Sequence, residues 1–569
     1  MRKVILFAKK FLKALKVFIS RVLADGGIIE AKNYVNSLLK TVGDASLVLI
    51  PSAYKSGVLY SILPEDGTGD FTFSRPSGAT RVNSQGLIEE VSLIGAELVT
   101  NGGFDNGIVG WFPETTGGSN TNISNVNNTL RVTLLDVSNP KAYTEITTEI
   151  GKTYKITCDF INGTVALDNY RFRVGTTFIS LDVLDETVSS GSSEFTFIST
   201  ATTLYVHSVG VSSVIGSYYD IDNVSVVEVF EEGIPRIDYT DGTPVLLTEP
   251  QSTNLVTYSE DFDTSAWTKF SGASVSTHVS IVAPDGTLTS QHIDLSANNS
   301  AVFINNASFV ANGSTRSIYA RTISGTGKMN LLRLFTSDGY GAGTGEYDLT
   351  TEWQRFDLTN DGTASDDGYF IACDSRGSGV DLTEVLIWGA QVEALPYATS
   401  YIPTEGTTAT RLGEAVTDGG DVNTFNSEEG VLFMEVATLT YVEGSEDMRI
   451  SLSDETTNNF ININFFNTGL FQVVMKVAGT FVYAYSLSAF DTRNPFKIAF
   501  KYKENDFSLF LNGDKINEDF IGVSFPVNTL VDINLTDVNK NLPFYGKTKQ
   551  IQVFKTALTD LELTELTTI

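Results

Sequence analysis

A chain of 569 residues is longer than one hydrophobic core can serve, so about three to five domains are expected. A hydrophobic content of 42% excludes wholesale disorder, and 36 Phe and 22 Tyr against 5 Met and 3 His give a mainly β profile. The net charge of −30 repels nucleic-acid phosphate, so the body is not expected to bind nucleic acid.

The N-terminus is chemically unlike the rest. Met1 to Ala24 holds seven basic residues and no acid. Lys9, Lys10, Lys13 and Lys16 break any apolar run before it reaches signal-peptide or membrane-spanning length. On a helix at about 100° per residue, Arg2, Lys9, Lys13, Lys16 and Ser20 share one arc. Val4, Phe7, Phe11, Leu15, Phe18, Ile19 and Val22 share the other. Such a helix can lie on an anionic membrane, dock into an acidic socket on a partner, or pack with copies of itself. Phe7, Phe11 and Phe18 are the expected anchor residues, because buried aromatic area outweighs exposed charge contacts. After Asp25-Gly26-Gly27, Ile28 to Thr41 reads as a second short helix.

Beyond Gly43 short alternating runs are separated by Asp66-Gly67, Asn101-Gly102, Asp285-Gly286, Asp338-Gly339 and Asn512-Gly513. Asx-Gly pairs favour the positive φ that hairpins need, so tandem β-sandwiches are expected after the helical anchor. Cys158 and Cys373 lie in different expected domains and read as two small buried hydrophobes.

Residues 96–230 open with ELVTNGGFDNGIVGW and close with SYYDIDNVSVVEV. These runs resemble the jelly-roll carbohydrate-binding modules found beside glycoside hydrolases. That resemblance implies a structural calcium, with Asp105 and Asp222 as candidate ligands. Residues 257–405 repeat the scheme with YSEDFDTSAW, LTTEWQRFDLT and VLIWGAQVEALPYATSYIPT. Trp111 and Trp267 take equivalent places, as core residues or, if exposed, as sugar platforms.

Leu49 to Val91 and Gly233 to Leu255 (GIPRIDYTDGTPVLLTEPQSTNL) resemble a frame that recurs in bacteriophage tail and spike proteins. The first module reads as an insertion into that frame. Residues 406–569, with FKIAFKYKENDFSLFLNGDKI and a capping box at Thr559 and Glu562, resemble a laminin-G or concanavalin-like sandwich. The expected domains are therefore 1–48 (anchor), 49–95 with 231–256 (frame), 96–230, 257–405 and 406–569.

Catalytic signatures are not found in the sequence. Glu346-Tyr347-Asp348 with Glu352 has the wrong spacing for a paired-acid glucanase strand. His207, His278 and His292 show no metal spacing and read as solvated or turn-packed. The resemblances imply a non-enzymatic virion protein: a receptor-binding spike or tail fibre that attaches to a host surface glycan. It would be held by other virion proteins through its N-terminus and assembled as a homotrimer. The alternatives are a capsid or tail decoration without ligand, and a polysaccharide depolymerase. The sequence names no ligand-binding residue.

Overall fold

The computed structural model describes residues 2–30, 45–91, 93–114, 120–136, 139–161, 163–164, 170–230, 233–297, 299–306, 309, 313–332, 335–336, 339–340, 345–359, 369–376, 379–440 and 447–569. These are mainly β, with antiparallel pairing throughout the named strands and helices at the two ends, Arg2–Ala24 and Asp560–Thr567. The chain forms two compact units, residues 92–231 and residues 1–91 with 232–569.

The unit of residues 92–231 is a sandwich of two sheets. One contains Thr121–Val126, Thr129–Leu134, Tyr218–Phe230, Thr153–Ile161 and Gly191–Ile198, with Leu93–Glu97 also on Tyr218–Phe230. The other runs Leu184–Val188, Tyr170–Gly175, Thr203–Gly210, Lys141–Thr147, Phe112–Pro113. Strict alternation in Thr153–Ile161 sends Tyr154, Ile156, Cys158 and Phe160 inward. There they meet Phe172, Val174, Leu204, Val206 and Tyr219 in one core. Asn127 and Asn128, both at positive φ, turn the first hairpin.

The larger unit contains another pair of sheets, here of five strands each, built from residues 268–393. It also contains a sandwich whose larger sheet has eight strands. The framing segments feed that larger sheet: Ala45–Leu49 and Val245–Thr248 both pair with Gly546–Phe554. The hairpin Phe507–Leu511/Asp514–Asp519 turns through Asn512 and Gly513 at φ 51° and 93°. The capping box at Thr559 and Glu562 is present.

Two expectations at the N-terminus are corrected. Ile28–Ile29 is a strand paired with Ala53 and Tyr54, not the start of a helix, and residues 31–44 lie outside the described residues. Phe18 does not face outward to a partner. It is 1% exposed, in a core with Leu15, Val22, Tyr60, Ile62, Leu563 and Leu566. The helix's apolar arc is thus covered by its own unit over that stretch, and Arg21 Nη2 donates to the Ser61 carbonyl at 2.8 Å. Phe7 and Phe11 fall in the helix, but their side chains lie outside those described.

The larger unit holds a buried charge network. Arg75, Arg236 and Arg411 converge on Glu249 and Glu414, all with side chains at most 3% exposed. Arg236 bridges both acids, reaching Glu249 at 2.7 Å, while Arg75 reaches Glu414 at 2.6 Å and Arg411 reaches Glu249 at 2.7 Å. Burial alone would raise Glu249, but Arg411 and Arg236 outweigh it and hold the carboxyl down at about 2.

Candidate functional site

The outward face of the second sheet in unit 92–231 gathers aromatic and charged side chains. Alternation turns Ala142, Thr144 and Ile146 inward and leaves Lys141, Tyr143 and Glu145 outward. Cross-strand register does the rest. Phe112 pairs with Tyr143, Tyr143 with His207, His207 with Arg173, and Arg173 with Asp185. Five residues distant in sequence therefore form one row across five strands.

One half of the face is aromatic. Tyr143 lies 5.6 Å from Phe112, 6.0 Å from Tyr205, 6.3 Å from Phe178 and 5.6 Å from His207, centroid to centroid. Phe112 and Phe178 are 51% and 40% exposed, as rings that stack on a ligand must be. Phe178 sits on a turn fastened by Asp182, which accepts from Thr176 N and Oγ1 at 2.9 and 2.7 Å. Hydrogen bonds from Ser180 and Thr176 hold the Asp182 carboxyl well below its ordinary range.

The other half is charged. Arg173 Nε donates to Asp185 Oδ1 at 2.8 Å and Arg171 Nη2 to Asp185 Oδ2 at 3.1 Å, so two guanidiniums share one carboxylate. At the side, Lys141 Nζ donates to Glu114 Oε1 at 3.0 Å and His207 Nδ1 stands 3.6 Å from Glu114 Oε2. Burial would raise Glu114, but hydrogen bonds from His207 and Lys141 outweigh it and hold it below its ordinary value. His207 is neither solvated nor turn-packed, the two readings expected of it: it lies in the strand Thr203–Gly210 and is 3% exposed, and its buried Nε2 has no hydrogen-bond partner among the described residues. A face with exposed aromatic rings beside guanidiniums that share a carboxylate can stack on a ring and hydrogen-bond its polar substituents, while the buried His207 braces Tyr143 and Glu114 from below.

The sequence-derived residues lie elsewhere. Trp111 and Trp267 are 3% and 1% exposed, so both are core residues and not platforms. Asp222 lies on Tyr218–Phe230 in register with Asp159, and Asp105 accepts from Asn128 Nδ2 at 3.2 Å. Burial raises the Asp222 carboxyl, and the charges of Asp159 and Asp105 add to the rise. The charges of Asp159 and Asp105 both act on Asp222, but the three carboxylates are not among the acidic groups that converge on one point in the described residues. Among the described residues the one convergent acidic trio is Asp418, Glu455 and Asp532, in the larger unit. Lys540 already reaches it, 3.8 Å from Glu455 and ion-paired with Asp418.

No family model and no curated protein matches the chain. Solved structures with some likeness include the CBM40 of the Ruminococcus gnavus IT-sialidase bound to α2,3-sialyllactose: 21% identity, 25% of this chain, 83% of that one, TM-score 0.22. A CBM4 structure is similar at 17% identity over 23% of this chain and 99% of the other, TM-score 0.21. Domain 4 of the arabinanase AbnA from Geobacillus stearothermophilus is similar at 14% identity over 30% and 83%, TM-score 0.23.

Proposed function

We propose that the chain is a non-enzymatic glycan-binding protein, and that the outward face around Tyr143 in unit 92–231 holds the glycan. The row Phe112, Tyr143, His207, Arg173 and Asp185 is the observation that supports this reading. It pairs exposed rings for the apolar face of a sugar with fixed donors and acceptors for its hydroxyls. The finer reading is a receptor-binding spike or tail fibre of a phage particle. It rests on the wording of Leu49 to Val91 and Gly233 to Leu255, and places the protein in the virion as a homotrimer that gains avidity from linked sites.

A glycan array with the full chain tests the first reading. Binding to surface glycans that is lost in Tyr143→Ala, with the melting temperature preserved, supports it; equal binding by both overturns it. Release of reducing sugar from a bound polysaccharide would instead make the protein a depolymerase. Sedimentation of the full chain as a monomer would overturn the trimer.

A further inference from the structure

A cleft of about 570 Å³ opens in the unit formed by residues 1–91 and 232–569, a volume within the range of about 300–1,000 Å³ that ligand pockets occupy. Its walls come from the framing hairpin Thr80–Val82/Ile88–Glu90, from Asp238 to Thr240, and from the sandwich that holds Tyr319, Trp353 and Arg355.

Trp353 differs from the other tryptophans. Trp111, Trp267 and Trp388 are at most 3% exposed, whereas Trp353 is half-buried at the cleft. Its Nε1 donates to the Val282 carbonyl at 2.8 Å, which fixes the ring plane, and Arg321 covers one face at 5.9 Å. Tyr319 and Tyr239 add two more rings to the wall. The Tyr239 hydroxyl has no hydrogen-bond partner among the described residues.

The charges on the wall are unevenly matched. Arg81 is neutralised by Glu30 at 2.6 Å and Glu89 at 2.8 Å. Arg355 has no such partner among the described residues, in a chain with 68 acids and 38 bases. Its Nη1 and Nη2 donate to the Thr399 carbonyl at 2.6 Å and Ser317 Oγ at 2.9 Å, and its buried Nε donates to nothing among the described residues. Asp238 is 2% exposed and, among the described residues, accepts only the backbone N–H groups of Val82 and Thr240, each at 2.9 Å. A carboxylate offers about four lone-pair sites, so acceptor capacity is left over. An anion and a cation that do not pair with each other, set beside aromatic rings, match a ligand that is itself donor and acceptor at once.

We propose that this cleft is a second saccharide site, separate from the Tyr143 face, that takes a monosaccharide or disaccharide unit. The sugar's C–H face lies on the Trp353 ring, beside the Arg355 guanidinium that stands over Tyr319 at 5.4 Å, and its hydroxyls donate to Asp238 and accept from the Nη groups of Arg355 and from Tyr239. The site is built from other residues in another unit, so it does not depend on the Tyr143 face.

The test is saturation-transfer NMR on the full chain with glucose, galactose, N-acetylglucosamine and lactose at millimolar concentration. Binding of at least one of these to the Tyr143→Ala chain is expected. Adding Arg355→Gln or Tyr239→Phe to that chain should weaken it about tenfold, the loss of one hydrogen bond to a charged or buried group. Tryptophan emission should shift on saturation, and the shift should vanish in Trp353→Phe. Tyr239→Phe keeps the ring, so an unchanged melting temperature separates lost binding from lost folding. Two results overturn the cleft: none of the four sugars binds the Tyr143→Ala chain, or binding survives both added changes at full strength. Wild-type behaviour of Tyr143→Ala on a glycan array would count against the other face alone.

Discussion

Tyr143 touches four other rings, so removing it opens the aromatic half of the face at its centre. Tyr143→Ala should cut glycan affinity at least about tenfold, the order of an aromatic contact of about 1.5 kcal/mol. Titration calorimetry measures it, and Glu145→Ala at the rim serves as the neutral comparison. Asp222 makes the opposite case, because its charge is a liability. An acid whose folded pKa is raised favours folding at low pH and loses that advantage as pH rises through the raised value. At neutral pH with chelator present, Asp222→Asn should therefore raise the melting temperature of unit 92–231. If a structural calcium is bound there, the same change should abolish the stabilisation that added calcium gives the wild type. Scanning calorimetry with and without calcium reads both.

At the scale of elements, strand alternation was open to reading because the side-chain period of two is local. Thr153–Ile161 alternates as its sequence says, and the turn at Asn512-Gly513 and the cap at Thr559 follow from single residues. Register is not local. Nothing in the segments around Phe112, Tyr143, Arg173, Asp185 and His207 says that they lie in one row, so the candidate face could not be read before the strands were paired. Exposure is no more local: nothing in the stretch LTTEWQRFDLT says that Trp353 is left half-buried while Trp111 and Trp267 are packed into cores. The N-terminal helix shows the same limit, because an amphipathic pattern demands a cover without naming it. Here the cover over Phe18 is the unit itself. Phe18→Asp should then destabilise the larger unit by at least about 3 kcal/mol, the cost of losing a buried phenylalanine. Urea unfolding followed by circular dichroism checks this, and exposed Lys13→Ala should leave the curve unchanged.

The larger unit depends on a network that joins chain segments far apart, from Arg75 to Glu414. Removing one partner strands a buried charge, so Arg236→Ala should cost about 3–5 kcal/mol. Glu249 titrates normally at 4.5 and is held at about 2 in the fold. A depressed carboxylate gives stability that is complete above the unfolded value and is lost as pH falls through the folded one. The larger unit should therefore weaken progressively from about pH 4.5 down to about pH 2, and circular dichroism across that window should record it. A plateau there would mean that the network does not set acid stability.

The first and last strands of unit 92–231 lie side by side, with Val227 opposite Glu97 and Val229 opposite Ile94. Neighbouring strands stand about 5 Å apart, so the unit leaves and rejoins the chain almost at a point. Such a unit is an exchangeable cassette. Recombination could replace it with another of different specificity, and the scaffold would have to bridge only a narrow gap. Selection on what the protein grips would then act on a part that can be traded, while the charge network of the larger unit is inherited unchanged.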